Sequence, residues 1–176
     1  LGPFRISSMK RLLLLRVPLV ACGTLAQTNF EELKSATLDF RHAGDQDSAI
    51  FTAKRMHHLA HKEYGDSNYW FAFSAFNIGK LFYSVDELDS AQKYIQLSLN
   101  GLDLLDPRDL WQSYTYLGAI HSDRGDLNNS LKHHFNALYS LNKNDDSDSI
   151  LYANTFSNIG GIYFKKLLYE KCELYF

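Results

Sequence analysis

Apolar residues recur along this chain at the spacing of a helix stripe, and the stripe itself recurs. Between residues 114 and 138, Tyr114, Leu117, Gly118 and His121 precede a polar break at Arg124-Gly125-Asp126, and Leu127, Ser130, His134 and Ala137 follow it. The spacing predicts two helices folded back on each other around a tight turn. Aligned on Leu117-Gly118, the chain shows a copy upstream at Ile78-Gly79 and another downstream at Ile159-Gly160, with a fainter one at Ala36-Thr37. The copies are evenly placed, at a period of roughly 40 residues, which is the signature of a repeat array. A bulky ring follows each pair at the same offset, at Phe40, Phe82, His121 and Tyr163. A small residue comes next at Ala49, Ala91, Ser130 and Cys172, and Ala53, Ile95, His134 and Phe176 stand one helical turn further on.

Large residues one turn apart build an apolar stripe, and a small residue in each helix lets two backbones approach. Gly44-Asp45 and Gly125-Asp126 break the pattern between helices, the glycine supplying a left-handed C-cap. Helix pairs are expected near 30–43 and 46–63, 67–84 and 88–104, 109–123 and 127–141, and 148–166 with 169 to the end. Such pairs cannot bury both faces alone, so they stack. The last residues, Leu174-Tyr175-Phe176, are apolar where a terminal repeat carries a polar cap, which predicts either that the sequence belongs to a longer protein or that its last helix is poorly anchored.

Composition agrees with a folded helical chain: 45% of the 176 residues are hydrophobic, 22% are charged, and the 3 prolines all lie at or before Pro107. Charge is unevenly placed. Residues 1–26 hold Arg5, Lys10, Arg11 and Arg16 and no acid, so the net charge of -2 leaves an acidic body. An acidic body argues against nucleic acid, which requires a basic surface. Met9-Lys10-Arg11 and the apolar run Leu12 to Val20 read as a secretory signal, too short to span a membrane. Thr24-Leu25-Ala26 suits cleavage before Gln27, whereas Leu19-Val20-Ala21-Cys22 resembles a lipobox that would lipidate Cys22. The chain thus divides into leader residues 1–8 of no assigned role, a signal at 9–26 and a repeat array at 27–176. The expected location is exported, periplasmic or envelope-bound. With Cys22 in the leader, Cys172 has no expected disulfide partner.

The order Leu-Gly, aromatic, Gly-Asp, small, aromatic, Ala resembles a tetratricopeptide repeat (TPR). Leu117, Gly118, Gly125, Asp126, Leu127, Ser130 and Ala137 carry it in the third copy. Ile78, Gly79, Phe82, Leu88, Ala91 and Ile95 carry it in the second, and Ile159, Gly160, Tyr163, Tyr169, Cys172 and Phe176 in the last. The resemblance implies an all-α, right-handed superhelical solenoid of about four repeats, near 30–63, 67–104, 109–141 and 148–176. The period exceeds the usual TPR length of about 34 residues. In that respect the chain is similar to the kinesin-light-chain-type subgroup, and to arrays in envelope sensor kinases and regulators of Bacteroidetes-like bacteria.

The resemblance also implies a concave groove lined by the first helix of each pair. Carried over by register, the candidate peptide-binding residues are Phe73, Phe76, Lys80 and Tyr83, then Gln112, Thr115, Ala119 and Ser122, then Asn154, Ser157, Gly161 and Phe164. Tyr and Phe at helical spacing are equally read as packing between repeats. The Lys and Asn set that clamps a C-terminal carboxylate in some relatives is not matched.

Other chemistry is sparse. His57 and His61 stand one turn apart, a zinc-compatible spacing, but lack the Glu of an HExxH motif and a third ligand; a solvated helix face is the simpler reading. His121 and His134 take aromatic core positions of one repeat and are expected to face each other. They read either as neutral core histidines sharing a hydrogen bond or as a pH-sensitive joint. There is no nucleophile elbow and no phosphate-binding loop, and Asp145-Asp146-Ser147-Asp148 lacks the Gly and Glu of a calcium loop. No metal and no cofactor are expected. The resulting expectation is a non-enzymatic scaffold for a protein or peptide partner, with self-association open. By resemblance it is the extracytoplasmic input region of a bacterial signalling protein such as a sensor histidine kinase. Membrane contact would come only through a lipid anchor or a further C-terminal region. The alternatives are a free-standing envelope adaptor or lipoprotein, and a metal-dependent enzyme centred on His57 and His61.

Overall fold

The computed structural model describes residues 29–100, 105–141 and 148–175. Expectations for the leader, for Cys22 and for the linker at 144–147 fall outside the described residues. Within them the chain forms eight α-helices and no strand: α1 (Phe30–His42), α2 (Gln46–Tyr64), α3 (Tyr69–Ser84), α4 (Leu88–Ser98), α5 (Pro107–Asp123), α6 (Leu127–Ser140), α7 (Ser149–Lys165) and α8 (Tyr169–Cys172). These are the four expected pairs, and each element packs on the next to give an all-helical repeat solenoid. Two elements are shorter than expected: α4 stops at Ser98 and α8 is a single turn. None of the described helices is long and apolar enough to cross a membrane.

The sequence starts helices with side chains that satisfy free N–H groups. Asn29 accepts from the Glu32 amide at 2.8 Å while donating to its carboxylate, a reciprocal cap. Asp45 and Asp126 accept from the Ser48 and Asn129 amides, and Asp106, ahead of Pro107, accepts from those of Arg108 and Asp109.

The turns within pairs share one geometry. The amides of Asp45, Glu87, Asp126 and Leu168 donate to the carbonyls of Phe40, Phe82, His121 and Tyr163, the four ring positions of the repeat. The residue before each of those donors is left-handed: Gly44 (φ 76), Asp86 (φ 61), Gly125 (φ 77) and Leu167 (φ 58). Two copies meet the requirement with glycine and two do so against side-chain strain.

Packing inside each pair follows the small positions. Ala49, Ala53, Ala91 and Ile95 are fully buried, and with Ile78, Leu81, Phe82, Leu117 and Ile120 they form the central core. A second cluster joins Phe30, Leu33, Met56, Ala60 and Phe71. Gly79 lies under Ile95 and Gly118 under His134, with no room for a methyl group at either. Ser130 donates to the Gly118 carbonyl at 2.7 Å, a close approach that a larger residue would prevent. Thr37 and Thr52, and Ser98 and Ser113, satisfy one another between helices.

Candidate functional site

Helices α1, α3, α5 and α7, the first of each pair, touch in succession through their side chains and share one face. At its N-terminal end the ring of Phe30 lies 4.9 Å from Trp70 and 6.5 Å from Phe73, and Lys34 sits over both Trp70 and Phe73. In the middle, Lys80 lies 5.3 Å above Phe76 and 6.0 Å from Tyr116. Tyr83 meets Tyr116 edge-on at 5.4 Å and donates its hydroxyl to Asp123 at 2.8 Å. Burial and this carboxylate push the Tyr83 pKa up to about 12, so Tyr83 is a fixed donor. Burial, with the charge of Arg41 added, holds the Lys80 ammonium below its usual pKa.

Towards the C-terminus the face becomes small and polar. Trp111 donates to Thr155 at 2.8 Å, tying α5 to α7, and Lys165 donates to Ser122 at 2.8 Å. Between these helices lies an open cleft of about 240 Å³ whose walls include Ala119, Ser122, Asp123, Ser157, Gly161 and Lys165. At the opposite, N-terminal end of α5 and α7, Arg108 pairs at 2.8 Å with Asp148, a carboxylate only 2% exposed.

The structure therefore brings Phe73, Phe76, Lys80 and Tyr83 onto one surface, though Phe76 also belongs to the core. Ala119, Ser122, Ser157 and Gly161 line the cleft. Gln112 and Thr115 are half-buried on α5 outside that lining, and the Thr115 hydroxyl has no hydrogen-bond partner among the described residues. Asn154 is exposed, and Phe164 is exposed beside Tyr169 at the end of the array. Sequence reasoning missed Lys34, Arg41, Tyr116, Asp123 and Lys165. Arg41 was within reach: it holds in the first repeat the place of Tyr83 in the second.

The expected pairing of His121 with His134 is corrected. His121 stacks on His133 at 5.1 Å and lies 3.2 Å from Asp126, whereas His134 covers Gly118 and is 3% exposed. The helices run antiparallel, so a residue one turn nearer the connection on α5 meets one nearer it on α6. The Nδ1 atoms of His133 and His134 are buried without a hydrogen-bond partner among the described residues. Desolvation lowers both pKa values to about 4; His121 adds to the effect on His133, and His133 to that on His134.

The His57–His61 face is more structured than a plainly solvated helix. His57 is half-buried, bonded to Ser74 at 2.9 Å and 4.3 Å from the Phe71 ring, while His61 pairs with Asp66. Among the described residues no three His, Cys, Asp or Glu side chains come together as a metal site.

No family profile matches the chain, and no curated protein matches it. Solved structures do. BtubC (BKLC) from P. vanneervenii is 19% identical at a TM-score of 0.73, covering 94% of this chain and 69% of that one. A MamA structure is 17% identical at 0.65, covering 95% and 80%. A MamA chain from Desulfovibrio magneticus RS-1 is 12% identical at 0.64, covering 85% and 72%. At such identities the likeness establishes the fold, a TPR-like solenoid of stacked helix pairs.

Proposed function

We propose that the chain is a protein-binding scaffold that takes an extended peptide or partner helix along the shared face of α1, α3, α5 and α7. The observation that carries this reading is the surface itself. Half-buried rings and cations from successive helices at Lys34–Trp70–Phe73 and Lys80–Tyr116–Tyr83 lead into an open polar cleft at Ser122 and Ser157. Aromatic anchors beside adaptable polar groups suit recognition of a polypeptide. The fold shared with MamA and BtubC supports a scaffold role.

Finer parts of the reading rest on the sequence. The wide spacing of Ile78-Gly79, Leu117-Gly118 and Ile159-Gly160 supports membership of the long-period, kinesin-light-chain-like subgroup. The pattern from Met9 to Ala26 supports export, and resemblance to envelope arrays supports the input region of a bacterial sensor kinase or regulator. A free-standing envelope adaptor is the second reading, and a lipobox at Cys22 favours it. Mass measurement of the mature N-terminus decides between cleavage before Gln27 and lipidation of Cys22.

Selection of displayed random peptides on the intact chain tests the groove. Phe73→Ala removes a ring from it and Ala119→Trp fills the cleft between α5 and α7. Enriched peptides are expected to lose at least tenfold in affinity for one or both variants. Peptides that bind both variants as tightly as the parent, or no enrichment at all, overturn the reading. Self-association through the same face would appear in sedimentation as a dimer that Phe73→Ala dissociates.

A further inference from the structure

We propose that the third repeat is an acid-operated joint, at which protons drive α6 off α5 around His133 and His134 and dismantle the cleft between α5 and α7 while the first two helix pairs stay folded. The opening stands on this seam alone; its effect on a bound peptide rests on the groove reading.

A stacked ring pair recurs within the helix pairs of the array. Phe82 and Tyr94 lie 5.7 Å apart at 19°, His121 and His133 5.1 Å apart at 16°, and Tyr163 and Tyr175 5.6 Å apart at 25°. In the first pair the same positions hold Phe40 and Thr52. The residue after each second member is Ala53, Ile95 and, in the third pair, His134. Among the described residues, the third pair alone places groups that take up protons in mild acid at these buried positions.

His133 stacks on His121 and, at 6.2 Å, on Tyr114 of the same helix α5. His134 lies against Gly118 of α5 and lines the cleft with Ser157 and Gly161 of α7, so it stands where three helices meet. The Nδ1 atoms of both are buried without a hydrogen-bond partner among the described residues. A proton on His121 meets the Asp126 carboxylate 3.2 Å away. A proton on His133 is repelled by His121 and Lys132; Asp126 attracts it but already accepts from the Asn129 amide and side chain. A proton on His134 is repelled by His133. In the cleft it faces Asp123 of α5, which holds the Tyr83 hydroxyl, and Lys165 of α7.

Opening the seam wets both imidazoles and restores their ordinary proton affinity. Desolvation holds the pair at about 4 in the closed state against 6.5 in water, so the open state binds protons more tightly and gains as pH falls below about 6.5. Between about pH 7 and pH 5 the open fraction should rise about 20-fold for each histidine released. In a solenoid each pair contacts only its neighbours, so one seam opens without unfolding the pairs before it. The half-buried His57, between α2 and α3, differs in that its Nδ1 has Ser74 as a partner.

The test is hydrogen exchange on the intact chain at about pH 7 and pH 5, corrected for the intrinsic exchange rate. Amides of α6 and α7 are expected to open at least about 20-fold more often at the lower pH, while α1 to α3 keep their protection. His133→Tyr with His134→Ile installs the Tyr94 and Ile95 of the preceding repeat and should remove the acid response. Ile95 already packs over a glycine there, at Gly79. If the double change does not fold, His134→Ile alone should cut the acceleration to that of one histidine. His57→Gln should leave the response in place.

Equal loss of protection along α1 to α7, unchanged protection of α6, or a response that survives the double change overturns the joint. So does a response that His57→Gln removes. A peptide selected on the groove should restore α6 protection at about pH 5, because it binds only the closed form. A peptide sensitive to Phe73→Ala or Ala119→Trp that leaves α6 exchange unchanged overturns the link to the groove. Absence of any such peptide overturns the groove reading and leaves the joint to be decided by the exchange data.

Discussion

The tight contact between α3 and α4 can be tested by one methyl group. In Gly79→Ala the new Cβ would lie under 3.0 Å from Ile95 Cγ1, 3.1 Å from the Ile95 nitrogen and 3.2 Å from the Ala91 oxygen. Two of those three atoms are backbone, and Ile95 is stiff at χ1 and fully buried, so α4 must move away from α3. Overpacking costs about 1–3 kcal/mol, and the clash with backbone atoms puts this site in the upper part of that range, about 2–3 kcal/mol. Alanine returns about 1 kcal/mol of helix propensity, which leaves a net loss of about 1–2 kcal/mol. For a chain of this size that is roughly 3–8 °C in melting temperature. The assay is thermal and urea unfolding followed by far-ultraviolet circular dichroism. Gly161→Ala is the internal control, because nothing lies within 4 Å of its added Cβ; it should stabilise α7 by up to about 1 kcal/mol. Combining Gly79→Ala with Ile95→Ala should cost at least about 1 kcal/mol less than the sum of the two changes, since the clashing atom is gone. A Gly79→Ala protein as stable as the parent would refute the close approach of α3 and α4.

Three further outcomes follow from named contacts. His133 and His134 have folded pKa values near 4 against 6.5 unperturbed, so the neutral forms favour the fold. Stability is therefore full above about pH 6.5 and lost as pH falls towards 4, by up to about 2 kcal/mol per histidine at pH 5. Melts across that range should show a shallower pH dependence for His134→Ile, which installs the residue of the preceding repeat, than for His121→Phe. Leu167 is left-handed and 69% exposed, so Leu167→Gly should raise stability by about 0.5–1 kcal/mol in urea unfolding, and Asp86→Gly should act alike; a loss at both would contradict the shared turn geometry. Arg108→Met leaves the Asp148 carboxylate buried without its guanidinium and should lower the melting temperature by the equivalent of about 1–3 kcal/mol.

The repeat was legible because its signals are local and periodic. Helix limits, the small positions at Ala49, Ala91 and Ser130, and the Gly-Asp turns all reflect constraints within one helix pair, repeated in register. The candidate site was legible by half. Phe73, Lys80 and Tyr83 come from a stripe on one helix, but Arg41 and Tyr116 join them only through stacking of three helices. Cations on separate helices carry no shared spacing by which they could be matched.

By itself the sequence determined the pairing of helices, the register of each pair and the glycine turns at Gly44 and Gly125, because periodicity and glycine act through the backbone nearby. Tertiary structure alone decided the rest. It held Asp86 and Leu167 in the left-handed conformation, since the second helix of every pair must return over the first at the same angle whether or not a glycine is present. It gave His121 the ring of His133 instead of His134, because the rotation and antiparallel run of α6 set which side chain arrives opposite. It also gathered Lys80, Arg41 and Tyr116 on one surface, where stacking brings the charges together and removes part of the water that would have kept them apart.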